Sequence, residues 1–132
     1  MKRYWYSAAI LFLIVFFGSW AARSTGLYNS LWYTDLILHS LSGAGFGLVW
    51  VALDNGREKR KWFLILGAIG FAALGSVMWE FWEFEGWRIT PSHMRFYIPE
   101  LGDTLGDVAS GLFGGLLSGL LMSMGKVHNS DL

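Results

Sequence analysis

Residues 62–84 read WFLILGAIGFAALGSVMWEFWEF, with no charged side chain before Glu80. About 20 consecutive apolar residues suffice for a helix to cross a bilayer, so this run is expected to be a membrane span carrying Glu80 and Glu83 in its last turns. Three other runs have the same character. Residues 5–22 hold no charged side chain, residues 31–53 are interrupted only by Asp35 and His39, and residues 103–124 are clean after Asp107. The expected fold is therefore all-α, a polytopic four-helix membrane bundle, with residues 1–132 forming one integral membrane domain. The first run is longer than the core of a secretory signal and closes without a small-x-small cleavage site, so it reads as a retained helix.

Composition excludes the alternatives. Only 15% of the 132 residues are charged and 54% are hydrophobic, whereas a soluble domain carries about 25% charged residues. The mean hydropathy of +0.41 agrees. Cysteine is absent and the formal net charge is zero, which excludes a disulfide scaffold and a thiolate metal site and gives no attraction to nucleic acid.

Basic residues in short connections favour the cytoplasmic side. With the amino terminus inside, Lys2, Arg3, Arg57, Lys59, Arg60, Lys61 and Lys126 are cytoplasmic, and Arg23, Arg88 and Arg95 are outside. Both termini are expected in the cytoplasm, and the protein in the cytoplasmic (inner) membrane as a multi-pass chain in contact with lipid. The acids divide the other way: Asp35, Glu80, Glu83, Glu85, Glu100, Asp103 and Asp107 fall in the outer half, and Asp54, Glu58 and Asp131 in the inner half.

Asp35 and His39 are spaced i,i+4, Glu80 and Glu83 i,i+3, and Asp103 and Asp107 i,i+4. Each pair can share one helix face, and the three helices bring these pairs to one depth. Four-residue steps then continue inwards to Gly43 and Gly47 in the second span, and to Gly111, Gly115 and Gly119 in the fourth. Such small-residue stripes let membrane helices pack closely, between helices of one chain or between copies in a homo-oligomer. The five acids carry minus five if ionised, and an intramembrane charge costs about 2.5–3.5 kcal/mol, so protons or cations must compensate. A divalent cation suits this oxygen-rich set, and His39 shifts the choice towards zinc, manganese or iron, with magnesium also considered. The metal ligands are then Asp35, His39, Glu80, Glu83, Asp103 and Asp107.

Each residue also has a plainer reading. Asp103 and Asp35 fit a helix N-cap, and Asp107 fits a first-turn acid facing the helix dipole. His39 fits a hydrogen-bonded packing histidine, and Arg88 and Arg95 fit headgroup anchors. Acids near a helix carboxyl end oppose the dipole, so Glu80 and Glu83 stand out. The cluster is thus open to three readings: a metal or catalytic site, a structural polar network, or an ion pathway. Gly43, Gly45 and Gly47 lack the strand and turn of a nucleotide loop. The connection from Glu85 to Gly102 is long enough to fold over the cluster as an interfacial lid.

The pattern Asp35-x-x-x-His39-x-x-x-Gly43, Trp79-Glu80-x-x-Glu83 and Asp103-x-x-x-Asp107 resembles the small YjdF-like inner-membrane proteins and, more distantly, the VanZ-like family associated with glycopeptide resistance. The resemblance covers residues 33–121 and singles out His39, Glu80, Glu83, Asp103 and Asp107. VanZ-like proteins carry Glu-x-x-Gln, and an Asp followed four residues later by Asn, where this chain has Glu83 and Gly111. The expected function is that of a metal-dependent membrane hydrolase or transferase acting on a lipid-linked envelope substrate. Glu80 or Glu83 would serve as base, and Arg88 or Arg95 would hold a headgroup phosphate. The alternatives are an ion- or proton-coupled transporter and a non-catalytic cell-envelope partner.

Overall fold

A computed structural model describes residues 2–55, 57, 60–94 and 100–125. Glu58, Lys59, Lys126 and Asp131, and Arg95 with residues 96–99 of the expected lid, lie outside the described residues. The chain forms α1 (Lys2–Thr25), a short α2 (Leu27–Ser30), α3 (Tyr33–Asp54), α4 (Lys61–Ile89), a 3-10 turn at Ser92–Met94 and α5 (Leu101–Gly125). Among the described residues, four helices are long and apolar enough to span a membrane. The shortest, α3, has 22 residues, which at a rise of about 1.5 Å per residue makes it about 33 Å long, against a hydrocarbon core of about 30 Å.

The helices extend beyond the apolar runs that announced them. The third span continues past Phe84 to Ile89 because the segment from Glu85 stays helical, with Arg88 donating to Glu85 at 2.6 and 2.9 Å across one turn. It stops where Pro91 forces Thr90 into an extended conformation (φ −71°, ψ 131°). Glu80 and Glu83 thus lie farther inside their helix than the apolar run implied. At the other junctions, Gly26 takes φ +72° between α1 and α2, and Asn55 takes φ 55° to close α3.

The helices α3, α4 and α5 pack against one another, and α1 lies against α3 and α2. Missing side chains set the closeness of the inner three. A Cβ at Gly43 would fall on the backbone of Gly111, and one at Gly114 on the backbone of Ser40 and Ala44, so α3 and α5 meet backbone to backbone. Gly47 accommodates Ser118, while Gly115 and Gly119 press on Ala68, Ala72 and Ile65 of α4. The glycine stripes are therefore used within the chain. Gly43, Gly47, Gly111, Gly115 and Gly119 each face another helix of the same chain.

Candidate metal centre

The same close approach builds the polar end of the bundle. His39 lies one turn from Gly43, and Asp107 one turn from Gly111, so the contact of these two glycines brings His39 and Asp107 face to face. His39 Nε2 is 3.8 Å from Asp107 Oδ2 and 3.5 Å from Asp35 Oδ1. His39 is 6% exposed and Asp107 3%. From α4, Glu80 and Glu83 complete the arrangement, each partly buried. One donor atom from each of Asp35, His39 and Asp107 lies within 4.8 Å of the others, and the same holds for His39, Glu80 and Glu83. An ion about 2.0–2.3 Å from each donor holds its ligand atoms no more than about 4.6 Å apart; the His39 contacts at 3.5 and 3.8 Å fall within that limit, and either group could hold a single cation. Carboxylates with a histidine on the inner faces of a bundle are a known way to hold such ions.

Among the described residues, two carboxylate oxygens at this end lack hydrogen-bond partners although they are buried: Asp107 Oδ1 and Glu80 Oε1. Buried polar atoms are normally satisfied, and an unpaired carboxylate oxygen away from water is costly. The Thr104 hydroxyl faces the Glu80 carboxylate. One turn inwards, Ser76 is 2% exposed, has an unpartnered hydroxyl and abuts Gly111, forming the floor of the site.

Asp103 behaves differently from the other acids. It lies in the first turn of α5 rather than at its cap, it is exposed, and its oxygens join neither donor group. It still contributes to the field: the charged neighbours of Asp107 are Asp35, Asp103, Glu80 and Glu83. Asp35 is also in a first turn, with Trp32 at the cap position. Arg88 is exposed and pairs with Glu85, whereas Arg95 is outside the described residues.

Among the described residues, the cation that reaches the cluster is Arg23, which the spacing of residues did not single out. Its guanidinium donates to Glu83 Oε1 at 3.2 Å. Tyr28, in the short α2, lies against Ser19 and Arg23, and burial raises its phenol above the ordinary value.

A bundle of four apolar spanning helices that gathers acids and a histidine at one end defines an integral membrane protein with a polar intramembrane centre. Residues 2–128 match the family described as predicted membrane protein (DUF2238), and the chain belongs to that family. No curated protein and no solved structure matches it.

Proposed function

We propose that the protein binds a divalent metal ion in the cluster at the polar end and uses it to hydrolyse, or transfer a group from, a lipid-linked substrate of the cell envelope. The observation that carries this reading is Asp107. Its carboxylate is almost wholly buried among other acids, and one oxygen has no partner, a state that a cation held with His39 relieves. The resemblance to YjdF-like proteins points to the same residues. Lys2, Arg3, Arg57, Arg60 and Lys61 all lie at the opposite end of the helices, which favours an inner-membrane orientation with that end in the cytoplasm and the cluster outside.

In this reading Asp35, His39 and Asp107 hold the ion. Bound there, a metal supplies polarisation of a phosphoryl or acyl oxygen and acidification of water. Glu80, with its unpartnered oxygen, takes the proton as base, while Glu83 is held by Arg23. Arg23 and Arg88, both exposed at this end, offer guanidinium groups to a headgroup phosphate. An ion pathway would need polar side chains through the inner half. There, Ser118 and Ser123 donate to carbonyls of their own helix, and no acidic or basic side chain lies between the cluster and the basic end among the described residues.

Metal analysis of purified wild type, His39→Gln and Glu80→Gln/Glu83→Gln tests the proposal. Stoichiometric divalent metal in the wild type and its loss in His39→Gln are expected. A folded wild type that retains and takes up no metal overturns the proposal.

A further inference from the structure

Between α4 and α5 a groove of about 260 Å³ runs past the cluster, lined by Val77, Glu80, Phe81, Phe84, Thr104 and Val108. Val77, Phe81 and Phe84 are exposed on the outer surface of the bundle, which in a bilayer means that they face hydrocarbon. The volume lies just below the range of about 300–1,000 Å³ typical of whole-ligand pockets, so it suits a chain segment rather than an entire lipid. Four of the six lining residues are apolar. The only ionisable one is Glu80. An unfilled apolar hollow forfeits dispersion contacts, and a carboxylate in its wall favours an occupant that brings a hydrogen-bond donor to that level.

We propose that this groove admits one hydrocarbon chain of a bilayer amphiphile sideways from the membrane and places an N–H or O–H donor of the amphiphile's headgroup at Glu80. The inference rests on the reading that Glu80 belongs to the reaction centre, and it adds the route and the chemical class of the substrate. The chain lies along Val77, Phe81 and Val108, and the polar part meets Glu80 and Thr104. Substrate therefore arrives from the lipid and not from the aqueous face.

The test uses the full chain in phosphatidylcholine vesicles doped with a phosphatidylethanolamine whose acyl chain carries a photoreactive diazirine, followed by mapping of the adducts. Adducts at Val77, Phe81 or Val108 are expected to exceed those at Trp82 and Phe113, which are exposed but lie outside the groove. Val77→Trp fills the groove and should abolish its adducts while sparing Trp82 and Phe113. Should Val77→Trp not fold, Val108→Phe serves the same purpose. A phosphatidylcholine probe, which has no N–H donor, should label the groove less, and Glu80→Gln should remove that difference. Groove labelling no higher than at Trp82 and Phe113, or unchanged by the filling variant, overturns the inference. Equal labelling by the two headgroups overturns its polar half. Metal content measured on the same preparations separates the two proposals: bound metal without groove labelling sinks this one alone, and groove labelling without metal sinks the metal reading alone.

Discussion

His39 and Asp107 face each other from α3 and α5 at 3.8 Å, both shut away from the surface. Removing one member of a buried polar pair leaves the other uncompensated, at a cost of about 3–5 kcal/mol. His39→Ala is expected to cost about 3 kcal/mol by that rule, read as denaturant unfolding in detergent. The double variant His39→Ala/Asp107→Asn should lose less than the sum of the two single changes, as coupled neighbours do. Strict additivity would show that the pair does not interact.

Divalent metal should stabilise the fold by mass action, by about 2.7 kcal/mol at a hundredfold excess over Kd. A thermal unfolding series with zinc or manganese should therefore shift upwards in wild type and stay flat in His39→Gln. Acidification should weaken binding, because the imidazole and carboxylates bind metal in their deprotonated forms and protons compete for the same atoms. Affinity that rises as pH falls would contradict coordination by these groups.

Asp103 and Asp107 give a controlled comparison on one helix. Asp107→Asn is expected to abolish metal retention, whereas Asp103→Asn, at an exposed position outside both donor groups, should retain it with at most a modest loss of affinity. Equal effects from the two would mean that metal is held by the general field of the acids rather than by specific donors.

Arg23 and Glu83 make an ion pair at 3.2 Å with the guanidinium largely exposed. Exposed pairs contribute about 0–1 kcal/mol, so Arg23→Gln should barely move the unfolding midpoint. It removes a positive charge beside the ion and leaves the nearby Glu83 carboxylate uncompensated, and is expected to strengthen metal binding in a calorimetric titration. Weaker binding would assign Arg23 a structural part in shaping the site.

Glycines separate packing from helix propensity. Gly43→Ala puts a methyl group on the Gly111 backbone, which has no room to yield, while a Cβ at Gly70 meets nothing within 4 Å. Unfolding measurements should show Gly43→Ala destabilised by about 1–3 kcal/mol, as overpacked sites are, and Gly70→Ala neutral or stabilised by about 0.5–1 kcal/mol. Equal behaviour would refute the close contact of α3 and α5.

The four spans were legible because hydrocarbon solvation demands long apolar runs, and the i,i+4 spacings correctly put Asp35 with His39. Helix ends were less legible, since hydropathy marks where lipid ends, whereas Pro91 and the Arg88–Glu85 pair decide where α4 ends. The contrast between Asp103 and Asp107 was hidden because spacing treats them alike. Only the approach of Gly111 to Gly43 buries the turn that holds Asp107. Arg23 is 60 residues from Glu83, and no local period reports such a meeting. The stripe glycines were recognised as packing surfaces, but sequence alone does not say whether the surface opposite belongs to the same chain.

The peripheral seat of α1, which rests on α3 and α2 and reaches α4 through Arg23, bears on biogenesis. Every donor atom of the cluster comes from helices synthesised after α1, and the last of them, Asp107, enters with α5. Until α5 inserts, the nascent chain carries Asp35, His39, Glu80 and Glu83 in the bilayer without their closing partner. Closure of the centre thus waits for α5, the last helix to be made, which supplies Asp107.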